Sequence, residues 1–142
     1  MLNINEIAEE IQEVTAWQET PEVMDETAYL KIVFRAVKKF FVDINRPEEY
    51  NAELWITDEN GVTCYDRDFL IDEEEYIKIL CRLEFFKRVQ TDVNNSFGYS
   101  TDALTVTNAD KPYANLQKTI DDLQQERRIV FNKMVRYTLG ES

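Results

Sequence analysis

Apolar residues recur at helical spacing from the first residues of the chain. Ile4, Ile7 and Ile11 follow three- and four-residue steps, and Asn3 with Glu6 has the pattern of a capping box. The opposite face is acidic and carries Glu6, Glu9, Glu10 and Glu13. Four glutamates without a lysine make a helix weak in isolation, so we expect this first helix, within residues 1–18, to need a partner surface.

A second helix is predicted from a wide apolar stripe that is followed by a stop signal. It begins either at Thr20-Pro21 or at Asp25, since both positions have helix-start chemistry, and it runs to about Ile44. Arg46-Pro47 ends it, because a residue before proline avoids the helical region. The stripe consists of Tyr29, Leu30, Val33, Phe34, Val37, Phe40 and Phe41.

The third helix is predicted from Asp72, as cap with Glu75, to about Val93. Apolar residues cover more than half of its circumference, which is typical of the central helix of a core. Cys81 lies among them, so we interpret it as a packing residue and not as a nucleophile.

The last helix is predicted from about Lys111 to Tyr137, with Gly140 as its stop. Its apolar positions follow the heptad seam of a packed helical hairpin or coiled coil: Tyr113, Leu116, Ile120, Leu123, Arg127, Val130, Met134 and Tyr137. Arg127 stands where an apolar residue is expected. Either its side chain reaches the helix edge, or it pairs with an acid from another segment or at an interface.

Residues 53–65 have the pattern of a β-hairpin, because two β-prone runs flank Asn60-Gly61. The acidic turn around Asp58 does not have the ligand spacing of a calcium loop, so we expect an ordinary turn and no metal. Residues 94–110 form a long polar connection with scattered apolar residues.

Together these patterns predict a mainly α protein. We expect a single helical domain over residues 1–142, a small helical bundle with a long C-terminal helix and one short β-hairpin insertion. The residues predicted to be buried in its core are Phe34, Val37, Phe41, Leu80, Leu83, Leu123 and Val130.

The amino-acid composition argues against several classes of function. The chain has no His, which removes the commonest general base and metal ligand, and it has no phosphate-binding glycine loop, CxxC pair or nucleophile elbow. We therefore expect no enzyme activity, no catalytic residue and no cofactor. The two cysteines match no metal spacing, no apolar run could span a membrane, and the first residues do not resemble a signal peptide, so we expect the protein to stay in the cytoplasm.

The net charge of −12 disfavours general nucleic-acid binding, and it is divided into blocks. Residues 1–30 carry eight acids and no base, residues 31–46 carry five bases and one acid, and residues 47–77 carry eleven acids and one base. Three interpretations are open: pairing between segments of one chain, complementary faces on neighbouring copies, or helix faces that are merely solvated.

The order of elements resembles the small helical head–tail connector, or adaptor and neck, proteins of tailed bacteriophages. The likeness lies in residues 28–41, in residues 76–89, and in the run 100–107 that leads into the last helix. The resemblance implies a structural virion protein that is assembled in the host cytoplasm. Its copies would form a homo-oligomeric ring, commonly of twelve, between the portal and the tail or neck proteins, with DNA passing through the lumen without sequence-specific binding.

The alternative is an acidic protein-binding module, regulatory or inhibitory, that acts on the basic surface of a partner. For the ring, the first helix and the 94–110 segment are the predicted contact elements, because their apolar residues exceed what one small core covers. The predicted interface residues are Ile4, Ile7, Ile11, Trp17, Phe97, Tyr99, Leu104, Val106 and Arg127.

Overall fold

The computed structural model describes residues 1–18, 25–97 and 115–140. Within these ranges the protein is mainly α, as predicted, with four α-helices and a small antiparallel sheet. The helices are α1 (Ile4–Val14), α2 (Glu26–Asp43), α3 (Ile71–Phe97) and α4 (Leu116–Gly140). The strands are β1 (Leu2–Asn3), β2 (Trp55–Thr57) and β3 (Thr63–Tyr65), and two short 3-10 helices precede β2 at Pro47–Glu49 and Ala52–Leu54.

Two interactions fix the first residues of the chain, a helix cap and a short strand. The Asn3 side chain caps α1 by accepting a hydrogen bond from the Glu6 amide, as the sequence predicts. Residues Leu2 and Asn3 also form β1, which pairs with Tyr65 and Cys64 of β3. This strand was not predicted, because two residues are too short to show a period.

Helix α2 begins and ends at polar side chains. Asp25 is its N-cap and accepts a hydrogen bond from the Ala28 amide at 2.9 Å, so of the two predicted starts the structure has the second. At the other end, Asn45 adopts a left-handed φ of 61°, and the Arg46 amide bonds back to the Phe41 carbonyl. This is a Schellman ending, and it stops the helix before Pro47 is reached.

The predicted hairpin is present between β2 and β3, and β1 extends it to a three-stranded sheet of order β1-β3-β2. The Asp58 side chain closes the turn by accepting hydrogen bonds from the amides of Asn60 and Val62. Gly61 has a φ of +80°, which favours glycine. The turn amides thus use the Asp58 carboxylate, in keeping with an ordinary turn.

Helix α3 is the centre of the molecule and pairs antiparallel with α4. Gln90 donates to Gln117 at one end of the pair, and the rings of Tyr76 and Phe131 lie 6.1 Å apart at the other. The helix starts at Ile71, where the Leu70 amide bonds to the Glu73 carboxylate, so the predicted cap at Asp72 is wrong. It also continues through 94–97, which were assigned to the connecting segment.

One core joins the four helices and β3. The predictions for Val37, Phe41, Leu80, Leu83, Leu123 and Val130 are confirmed, since all six are buried. The prediction for Phe34 is wrong. Its side chain is 37% exposed, because it lies at the outer edge of the α2 stripe, where its ring and that of Trp55 form a T-shaped pair with centroids 4.5 Å apart. No helix in the described part of the chain is long and apolar enough to cross a membrane.

Candidate interaction surfaces

The first candidate surface is the outer side of α1. Its inner side is buried, and the residues on the outer side are all exposed. We call this set the α1 acidic face: Glu6, Glu9, Glu10, Glu13 and Val14, with Trp17 directly after the helix. Among the described residues, only Glu10 of this face has an ion pair, with Lys78 of α3 at 2.9 Å. Most of its negative charge is therefore without a counter-charge in the described part of the chain.

The second candidate surface runs along α2. Five exposed residues share one stripe of this helix, because they follow three- and four-residue steps. We call this set the α2 basic face: Lys31, Phe34, Arg35, Lys38 and Val42. Arg35 pairs with Glu84 of α3 at 3.0 Å, while Lys31 and Lys38 have no ion pair among the described residues. The face thus combines unneutralised positive charge with two exposed apolar side chains.

The two faces lie on different sides of α3. Glu10 of the acidic face reaches Lys78, and Arg35 of the basic face reaches Glu84. Lys78 and Glu84 are six residues apart on α3, which places them about 120° apart around the helix axis. A partner that contacts one face would therefore leave the other face accessible.

Arg127 contacts an acid from another segment, which is one of the two alternatives that its sequence position allowed. Its guanidinium lies 3.6 Å from Asp43, the last residue of α2. The Tyr76 hydroxyl donates to the same carboxylate at 2.6 Å, and Lys39 pairs with it at 3.3 Å. Burial, and then the hydrogen bond to Asp43, raise the pKa of Tyr76, so the phenol stays a neutral donor.

This cluster borders an open cleft of about 350 Å³ between the end of α2 and the middle of α4. Its lining is both polar and aromatic: Asp43, Tyr76, Arg127, Arg128, Phe131 and Asn132. The Nε atom of Arg127 is buried and has no hydrogen-bond partner within residues 1–18, 25–97 and 115–140. Because Asp43 is already shared by a tyrosine and two basic side chains, the cluster is best explained as the joint that ties α4 to α2.

The predicted interface residues divide into three groups. Ile4, Ile7 and Ile11 are buried in the core of this same chain, so α1 finds its partner surface in α2 and α3 and these side chains are not open to another copy. Trp17 is 63% exposed and lies beside Phe86, with ring centroids 5.5 Å apart. Of the interface residues predicted within residues 1–18, Trp17 is the one that lies at the surface.

The remaining predicted residues belong to the 94–110 segment. Phe97 is placed only as the last residue of α3, and Tyr99, Leu104 and Val106 lie outside the described residues. Their predicted role as contact residues stays a prediction.

Sequence reasoning missed Phe34 and Val42 as surface residues. A signal for them was present, because both lie three or four residues from Lys31, Arg35 or Lys38 and hence on the charged side of the helix. Phe34 was assigned to the core because its spacing continues the wide apolar stripe of the predicted helix.

Two further observations concern binding chemistry. No group of three or more potential ligand side chains is placed to hold a metal ion within the described ranges. Comparisons with protein-family models, with curated proteins and with solved structures found no match to this chain.

Proposed function

We propose that the protein is a structural subunit of a tailed-phage virion, which forms a head–tail connector ring between the portal and the tail. The observation that supports this proposal is the presence of an exposed acidic face and an exposed basic face on different helices of one chain. Copies of such a chain are complementary to one another, which a ring subunit requires.

The arrangement favours head-to-tail association over a two-fold dimer. In a two-fold dimer built on the α1 acidic face alone, that face would meet its own copy and repel it. A two-fold dimer that paired the acidic face with the basic face twice would need both faces on one side of the subunit, whereas they lie on different sides of α3. In a head-to-tail contact the acidic face of one copy meets the basic face of the next. Such contacts generate a ring when the rotation closes.

The charge of the whole chain agrees with passage of DNA through the ring. A net charge of −12 repels phosphates, so DNA can move through an acidic lumen without being held by it. The protein would then contact the portal and tail or neck proteins as its stable partners, and DNA only in transit.

Association with a portal tests the proposal. The genes beside this one should encode portal, capsid and tail proteins. When the full chain is incubated with particles that contain this portal, we expect it to bind as a ring, visible by electron microscopy. Sizing of the isolated protein does not decide the matter, because such subunits are often monomeric until they meet the portal. No binding to the particles would refute the connector role.

A second candidate, the acidic protein-binding module, is favoured by Glu6, Glu9 and Glu13 on α1, which have no ion pair with any residue that the structure describes. A module of this kind would bind one basic partner protein with fixed stoichiometry and would form no ring. Isothermal titration and mass measurement of the complex formed with a basic neighbour-gene product separate the two candidates.

A further inference from the structure

We infer that the ring contact is a parallel pairing of two helices: the α1 acidic face of one copy lies on the α2 basic face of the next. This inference rests on the proposed ring, and it names the surfaces and their register. The partner is a second copy of this chain, because the complementary face is already present on every copy.

The charges on the two faces have the same spacing. Glu6 and Glu13 are seven residues apart on α1, and Lys31 and Lys38 are seven residues apart on α2. Both intervals correspond to about 10 Å along a helix axis. Two ion pairs can therefore form at once when the helices run side by side. Equal spacing would not be needed if only one pair formed.

The apolar residues select the parallel direction. Trp17 lies four residues after Glu13, and Val42 lies four residues after Lys38, and both side chains are more than half exposed. Trp17 lies in the turn that follows the end of α1 at Val14, so with Glu13 opposite Lys38 a parallel alignment directs it toward Val42. An antiparallel alignment that keeps two ion pairs must join Glu13 to Lys31 and Glu6 to Lys38, and it would place Trp17 near Thr27, at the polar start of α2.

An apolar contact is needed in addition to the charges. Exposed ion pairs contribute little to affinity, because water screens them and the long side chains lose freedom. Large aromatic side chains at the centre of an interface carry a disproportionate share of binding energy. In this alignment the exposed Phe34 lies between Lys31 and Lys38, at the centre of the contact, and Trp17 packs beside Val42 at its end.

Intrachain ion pairs leave these groups available. Glu10 and Arg35 each form an ion pair with a residue of α3. Glu13, Lys31 and Lys38 have no ion pair among the described residues. Formation of the contact therefore does not require that an existing ion pair be broken.

Charge reversal with rescue tests the pairing. We expect E13K and K38E each to raise the concentration for half-maximal occupancy of portal particles at least about tenfold, because like charges then face each other. The double variant E13K/K38E should return to within about threefold of the unmodified protein. The alternative double variant E13K/K31E should stay impaired, since Lys31 is opposite Glu6 and not Glu13 in this register.

The variants are chosen to fold. Glu13 and Lys38 are exposed, and a lysine near the C-terminal end of α1 is favoured by the helix dipole. Matched controls are E126K and K133E, which reverse exposed charges on α4, a helix that belongs to neither face. Thermal melts of the charge variants should agree with that of the unmodified protein. W17A also loses the ring contact with Phe86, so its melting temperature should fall slightly, but the variant should stay folded and its occupancy should still be reduced.

The outcomes separate this inference from the proposed function. If the unmodified protein does not bind portal particles, the connector role fails and the inference fails with it. If it binds and E13K binds equally well, the α1–α2 pairing is wrong while the connector role stands. If both single variants are impaired and the double variant is not rescued, the two residues do not face each other, and the inference is again overturned.

Discussion

Asp43 is the residue on which the polar chemistry of the interior converges. Its carboxylate accepts from Tyr76, faces Arg127 and is paired with Lys39. Charges that are largely withdrawn from water are stable only when they are paired and hydrogen-bonded. The cluster thus explains why an arginine is tolerated on the apolar seam of α4.

Replacement of Tyr76 by phenylalanine should cost about 1–3 kcal/mol of unfolding free energy at pH 7, because a hydrogen bond to a charged acceptor is lost in a buried place. Urea unfolding measures the change. The matched control is Y29F, since Tyr29 is also buried but has no hydroxyl hydrogen bond among the described residues. A loss that is equal in both variants would contradict the role of Asp43.

The effect of this substitution should depend on pH in a defined direction. The folded pKa of Tyr76 is raised, so its contribution is complete below the pKa of a free tyrosine, about 10, and is lost as the pH rises toward the folded value. The stability difference between the unmodified protein and Y76F should therefore shrink above about pH 10. A difference that grows with pH would contradict the assignment.

The two cysteines differ in environment, and their reactivity should differ accordingly. Cys81 is fully buried, and burial raises the pKa of its thiol, so the reactive thiolate is not formed. Cys64 is only half-buried in β3. Native alkylation with iodoacetamide, followed by mass spectrometry, should modify Cys64 well before Cys81, and both in urea. Equal native rates would show that Cys81 is accessible.

At the scale of elements, the two-residue strand β1 determines which side of α1 is buried. Strand β1 ties the start of the chain to β3, and the Asn5 side chain adds a bond to the Thr63 amide at 2.8 Å. The apolar side of α1 is thereby closed against the core. Its acidic side remains outward. A partner would therefore meet the glutamates of α1 and Trp17 after it, and not the aliphatic residues that the sequence analysis predicted as contacts.

The packing of α3 against its neighbours gives a stability prediction. Leu83 lies in the buried part of α3, so L83A should destabilise the protein by about 2–5 kcal/mol, the usual range for a large-to-small core change. Chemical unfolding measures the effect. The control I129A removes an exposed side chain of α4 and should change stability by no more than about 0.5 kcal/mol. Similar values for both variants would refute the assigned packing.

At the scale of the whole molecule, the separation of charge is the feature that a partner meets. The acidic and basic faces flank α3, and each has only one ion pair to it within the described residues. The unpaired charges are exposed, so their interaction across copies is sensitive to salt. The core that holds the two faces in place is apolar, so its packing is not sensitive to salt.

Ionic strength should therefore separate assembly from folding. Between 0.1 M and 1 M salt the screening length falls from about 10 Å to about 3 Å. We expect occupancy of portal particles to drop severalfold over this range, while the melting temperature of the subunit changes little. Occupancy that is unchanged at 1 M salt would show that charge complementarity does not drive the association.

Local sequence determined most of the elements. Helical periodicity located all four helices, the caps Asn3 and Asp25 were recognisable from their side chains, and Asn60-Gly61 marked the hairpin. These features depend on residues within one or two turns of each other, so they can be read before the chain is folded. The mainly α class follows from them.

Tertiary structure decided what depends on residues distant in sequence. It paired Leu2 with Tyr65, directed Arg127 to Asp43, and left Phe34 at the surface although its side chain is as apolar as its buried neighbours. Periodicity states which residues share a face, but not whether another element covers that face. Coverage is decided when α1, α3 and β3 dock on α2, and this docking also separates the acidic face from the basic one.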